Sequence, residues 1–195
     1  MEQGKLVGQK RPPELKEIGT IRIRLLLAKR TRELAMFNLA IGSKPRGCSL
    51  AELHVRDIAQ GNQVFSRAKI MQRKTHRPVQ FEITGPTREA VAAWISQAQP
   101  KSGQFLFPGR IHESPHISAR QYAKIADRRV TSAGLDRNAY GTHTMRRTEA
   151  ALIYRRTKNL RAVQLLLGRT KLESTVRHPG IEVDDALVIS EQTDI

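Results

Sequence analysis

The chain has 195 residues, long enough for one domain with a sizeable core, and carries 34 Lys and Arg against 18 Asp and Glu, a formal net charge of +16. That imbalance selects a polyanionic partner, nucleic acid ahead of a membrane surface. A single cysteine, Cys48, excludes an internal disulfide and reads as a small packed residue in a reducing compartment, while the longest apolar run near the N-terminus, Leu25 to Ala28, is far too short for a membrane span.

No signal-peptide pattern of basic, apolar and small-residue regions is present, so a cytoplasmic protein without a membrane partner is expected. Residues 1–12 are polar and basic and read as a flexible arm. Pro12 and Pro13 then set up a helix start, followed by Ile18, Ile21 and Leu25 at helical spacing. A second helix carries Leu34, Phe37 and Ile41 on one face and stops at Gly42, and Leu50 to Val55 reads as a further short helix. Beyond Gly61-Asn62 the character changes. Val64 to Met71 and Pro78 to Ile83 are β-prone, with Arg73 to Arg77 forming the hairpin tip between them.

Thr87 to Gln97 is an amphipathic helix with Val91, Ala92 and Trp94 apolar, and Phe105 to Phe107 is a short extended piece. Helices are expected over Ser118 to Ala133, from about Thr144 to Arg156, and over Leu160 to Leu167 with Leu160, Val163 and Leu167 on one stripe. The fold class is therefore a compact α+β domain over residues 13–180, mainly helical with a small antiparallel β-sheet. Residues 181–195 hold five acidic side chains and no Lys or Arg, and form an acidic C-terminal tail.

Several residues suit phosphate chemistry. His143 and Arg146 are three apart at the start of a helical pattern, so both can address one anionic group. Arginine offers a planar fork matched to phosphate, and histidine can donate to phosphate or exchange a proton near neutral pH. Gly168 ends the next helix as a C-cap, Arg169 follows it, and His178 lies nine positions later. Upstream, Arg46 stands just after a helix end, and Lys74 sits at the β-hairpin tip with Lys69, Arg73 and Arg77 as neighbouring alternatives.

These boxes, in this order, resemble the catalytic domain of the tyrosine recombinase (phage integrase) family over roughly Ile18 to Asp185. The resemblance implies site-specific DNA recombination and integration on double-stranded DNA, without a metal or cofactor. In that family two arginines, a hairpin lysine and a histidine cradle the scissile phosphate, and a tyrosine attacks to become linked to the 3′ end. By position the first arginine is Arg46, the lysine Lys74, and the second box His143 and Arg146. Arg169 takes a place that is commonly histidine or tryptophan. Only a short arm precedes the domain, so the chain resembles catalytic-domain-only members. The tail, with Val183, Leu187 and Ile189 apolar, resembles the segment by which family members self-associate on DNA.

Two positions depart mildly and one seriously. Arg169 keeps a charged donor but cannot exchange a proton at pH 7. Ser49 stands where the family often has an acid supporting the first arginine. At the nucleophile position the chain has His178, not tyrosine, followed by Pro179, which disfavours helical backbone at residue 178. Imidazole is shorter than phenol and its phosphoryl adduct is labile. Tyr154, eight residues beyond Arg146 and roughly 12 Å along a helix axis, is poorly placed as a substitute. Tyr140 lies on the wrong side of the motif, and Tyr122 has no supporting context. The expectation is a DNA-binding protein impaired in strand cleavage. The alternatives are an active recombinase using a substitute nucleophile and a non-catalytic DNA-binding regulator.

Overall fold

The computed structural model describes residues 13–42, 47–72, 77–109, 114–137, 140, 142–159, 161 and 163, with the backbone alone for residues 72, 77, 143, 146 and 147. The order is α1 (Leu15–Leu27), α2 (Thr31–Gly42), α3 (Gly47–Ala51), α4 (Val55–Ile58), β1 (Ala59–Gln60), β2 (Gln63–Val64), β3 (Arg67–Gln72), β4 (Arg77–Glu82), α5 (Gly85–Ala98), α6 (Ala119–Ser132) and α7 (Thr142–Thr157). None of these helices is long and apolar enough to cross a membrane.

Helix α2 is the centre of the molecule. Every residue from Glu33 to Ile41 is buried, because α1, α3, α5 and α7 pack around it. A helix buried on all sides needs apolar residues all round, and the two polar exceptions are paired. Glu33 forms an ion pair with Arg129 of α6. Asn38 accepts from Arg22 Nε of α1 at 2.8 Å and donates to the Pro86 carbonyl at 3.3 Å.

Helix α6 follows the expected span closely. Ser118 caps it, accepting from Gln121 N at 3.1 Å while Gln121 Oε1 accepts from Ser118 N at 2.8 Å. Helix α7 begins at Thr142, two residues earlier than its apolar pattern suggested, so residue 143 lies inside its first turn. Helix α5 likewise extends to Gly85–Ala98, since Pro86 is accommodated in the first turn. Of the helix expected over Leu160 to Leu167, residues 161 and 163 are helical and Val163 is buried; Leu160 and Leu167 lie outside the described residues.

Two expectations are corrected. In place of one helix over Leu50 to Val55 there are two short ones, broken where His54 bridges to Phe105. The Asp57 carboxylate, accepting from His54 N at 2.8 Å, then restarts the chain as α4. The expected mainly helical α+β class with small antiparallel β-structure holds, and among the described residues that β-structure is two pairs, β1–β2 and β3–β4. The strand read over Val64 to Met71 is interrupted at Phe65, whose N–H turns away to the Ile58 carbonyl at 2.9 Å. Gly61, with φ of 57°, makes the β1–β2 turn at the point where the character of the sequence changes.

Candidate active site

The scaffold around the phosphate-binding candidates is described more fully than the candidates themselves. Arg46, Lys74, Arg169 and His178 lie outside the described residues, and His143 and Arg146 are placed by backbone alone in the first two turns of α7. Arg46 belongs to the short connection between the buried helix α2 and α3. Lys74 belongs to the four-residue connection closed by the Gln72–Arg77 register of β3 and β4. In that hairpin Ala68 and Ile70 are buried while Arg67, Lys69 and Met71 are exposed, the two-residue alternation of a half-buried strand. Lys69 pairs with Gln80 and is therefore about 10 Å back along the strand from Gln72. The competing lysine sits on the body of the hairpin and not in its connection.

Two of the three segments meet on one side chain. Tyr122 of α6 is buried, and its hydroxyl donates to Met145 Sδ at 3.8 Å, adjacent to Arg146. On its other side the same ring approaches Gly47, adjacent to Arg46. A Cβ at Gly47 would lie 3.1 Å from Tyr122 Cδ1 and 3.2 Å from Cε1, so the absence of a side chain permits this contact. Thr144 and Met145 are also buried, and Tyr140 just ahead of the helix donates to Glu17 Oε1 at 2.6 Å. The start of α7 is thereby fixed against both α1 and α6. The distance of Lys74 from these segments falls outside the described residues.

Ser49, where the resemblance expects an acid, is buried, and its hydroxyl has no hydrogen-bond partner among the described residues. Such a group costs about 1–3 kcal/mol of desolvation. It sits one turn from the Arg46 connection.

All three tyrosines of the chain are core residues, Tyr122 at 3%, Tyr140 at 2% and Tyr154 at 4% exposure. Burial holds the Tyr122 phenol well above its ordinary pKa, so it stays protonated. The sequence argues against Tyr154 by spacing, against Tyr140 by its side of the motif and against Tyr122 by lack of context; burial adds one reason common to all three, since a nucleophile must reach a DNA phosphate.

One feature was legible in the sequence and passed over. Arg120, Lys124 and Arg128 recur every four residues along α6, and all three are exposed. The opposite face carries the buried Tyr122, Ala126 and Val130. Lys124 and Arg128 line an open depression of about 500 Å³ together with Asp127, Thr131, Ser132 and Arg137. Three cations and two hydroxyls against one carboxylate suit a phosphate backbone.

Comparison with known proteins agrees with this architecture. Relatives include the probable integrase/recombinase YoeC of Bacillus subtilis (strain 168), 26% identical over 159 residues, covering 82% of this chain and 83% of that protein. The tyrosine recombinase XerC of Neisseria gonorrhoeae (strain ATCC 700825 / FA 1090) is 28% identical over 155 residues, covering 78% of this chain and 48% of XerC. The chain thus spans about half the length of XerC. Among solved structures, XerA recombinase superposes with a TM-score of 0.77 at 13% identity, over 98% of this chain and 66% of that one. The XerH site-specific recombinase, bound to palindromic difH substrate in a post-cleavage complex, superposes with a TM-score of 0.70 at 18% identity, over 94% and 54%. These likenesses establish the fold. With the phage integrase family model matching residues 16–178, the chain belongs to the phage integrase family.

Proposed function

We propose that this protein binds double-stranded DNA as a tyrosine-recombinase-type catalytic domain, grips a backbone phosphate, and fails to complete strand cleavage. Arg46, Lys74, His143 and Arg146 would cradle the phosphate, with Arg169 adding a charged donor. Phosphoryl transfer between esters needs chiefly positioning and neutralisation of the equatorial oxygens, which clustered Arg and Lys provide. Lys74 would give a proton to the departing 5′ oxygen. The step that is missing is attack: a tyrosine oxygen would form the bond to phosphorus as the 5′ oxygen leaves, and position 178 holds histidine.

The observation that carries this reading is the burial of every tyrosine in the chain. A substitute phenol would have to leave the core. Histidine serves as a covalent phosphoryl nucleophile in other enzymes, so cleavage by His178 is the second reading. Pro179 and the shorter imidazole weigh against it. The domain limits 13–180, the arm 1–12 and the tail 181–195 belong to the same proposal, as does self-association on DNA through that tail. A cytoplasmic location follows from action on DNA.

DNA binding is tested by its salt dependence, measured on duplexes selected for binding from a randomised pool. With 6–10 phosphate contacts, affinity falls by roughly 10³–10⁵ between about 50 and 200 mM salt. A shallow slope, or no enrichment of any duplex, contradicts the reading.

A further inference from the structure

On the flank formed by α1, α2 and α5 lies a groove of about 380 Å³ that the proposed DNA chemistry leaves unused. Small-molecule sites run from about 300 to 1,000 Å³, so the groove is of a size to hold one compact ligand. Its floor is apolar, built from Leu25, Leu34 and Ala90, and Leu26 on its edge is 60% exposed. Charge on its walls is unbalanced: Arg22, Lys29 and Arg30 stand against a single acid, Glu89. Arg22 is the most telling of these. It is half-buried, and its Nε donates to the neutral Asn38 Oδ1 at 2.8 Å. Asn38 is itself buried and held by its donation to the Pro86 carbonyl at 3.3 Å. Among the described residues no carboxylate pairs with Arg22, and its Nη1 and Nη2 have no hydrogen-bond partner.

A guanidinium anchored through Nε has its planar fork fixed, with both terminal nitrogens left for a two-pronged pairing with a carboxylate. Withdrawing it from water without a counter-charge is unfavourable, and burial lowers its pKa. We propose that the groove between α1, α2 and α5 binds a small aliphatic carboxylate, its head group paired with Arg22 and its chain laid over Leu25, Leu34 and Ala90. Lys29 and Arg30, in the turn between α1 and α2, add to the attraction for the head group. The alternatives each leave half of the site unused. A DNA phosphate or an inorganic anion would leave the apolar floor uncovered, and a neutral apolar ligand would leave Arg22 without a counter-charge. The site is separate from the proposed phosphate cradle, and its test needs no DNA.

Titration calorimetry of the full-length chain with hexanoate, octanoate and 1-octanol tests it. Octanoate is expected to bind more tightly than hexanoate, by up to about fourfold for each added methylene. It should also bind about tenfold more tightly than 1-octanol, which has the chain without the charge. Arg22→Gln brings octanoate down to the affinity of 1-octanol and leaves 1-octanol itself unaffected. Because that variant also disturbs Asn38, Ala93→Phe provides a second one: it fills the trough from an exposed position on α5 and removes the binding of both ligands without lowering Tm. Arg56→Gln, exposed on α4 and outside the groove, leaves octanoate binding unchanged. The proposal is overturned if octanoate fails to bind, or binds no better than hexanoate or 1-octanol. Equal losses at Arg22 and Arg56 also overturn it, since net charge alone would then attract the anion, as does full binding by Ala93→Phe. An octanoate affinity that weakens as protein concentration rises would assign the groove to a contact between copies and reject the ligand.

Discussion

The Tyr122 hydroxyl on α6 donates to Met145 Sδ on α7 at 3.8 Å, and the same ring closes against Gly47 at the start of α3. One buried phenol thus contacts the immediate neighbours of both Arg46 and Arg146, two residues distant in sequence that the proposed function assigns to one phosphate. Its function here is positional. The Tyr122→Ala variant loses about 3–5 kcal/mol of stability, as other buried aromatics do, whereas Tyr122→Phe keeps the ring and loses only the weak hydrogen bond to sulfur. Chemical denaturation at pH 7 separates the two.

Tyr122 also carries a pH signature. Burial raises its pKa in the folded state, so its contribution is fully present below about pH 10, where the unfolded phenol is protonated. It is lost as pH rises from there toward the folded pKa, at up to about 1.4 kcal/mol per pH unit. Denaturation midpoints between about pH 9 and 11 should fall more steeply for the parent chain than for Tyr122→Phe. Parallel curves would show that the phenol ionises freely in the folded protein.

At Gly47 the restriction is steric. The Gly47→Ala variant places a methyl 3.1 Å from the Tyr122 ring, forcing α3 or the ring to shift. A loss of about 1–3 kcal/mol is expected, the range for overpacking. A larger proportional loss of DNA affinity should accompany it, because Arg46 precedes this residue. Gly47→Ala combined with Tyr122→Leu should recover part of the stability, measured as a shift in Tm.

Glu33 and Arg129 tie α2 to α6 as an ion pair with side chains 10% and 22% exposed. Removing one partner strands the other in the core. Glu33→Ala alone should cost about 3–5 kcal/mol, and the double variant Glu33→Leu/Arg129→Met should be closer to neutral. A double-mutant cycle in urea measures the coupling, and additive losses would refute it.

The exposed series Arg120, Lys124 and Arg128 should contribute phosphate contacts without contributing stability. Each substitution to Gln is expected to lower the slope of log affinity against log salt by about 0.9 while leaving Tm unchanged. Substituting Arg56, exposed on α4, to Gln provides the comparison. Equal effects at both places would mean that net charge alone governs binding.

Much of this architecture was legible in the sequence because it depends on local periodicity. The faces of α1, α5 and α6 and the β3–β4 hairpin were readable from residues a few positions apart. The total burial of α2 was not, because Glu33 and Asn38 look like surface residues until Arg129, Arg22 and Pro86 come from elsewhere in the chain. The β1–β2 pair was missed because two-residue strands show no alternation. For the site, the order and spacing of Arg46, Lys74, His143 and Arg146 carried the family. The role of Tyr122 could not be read, since a core tyrosine in an amphipathic helix carries no local sign of what it touches.

The central claim is that the chain grips DNA phosphate but lacks the group that attacks it. A nicked suicide duplex, selected for binding and run on a denaturing gel, measures this directly as a covalent protein–DNA adduct. The account predicts no adduct from the parent chain and an adduct from His178→Tyr, with Arg169→His added if needed. An adduct from the parent chain that maps to His178, or to any of the three tyrosines, would contradict it.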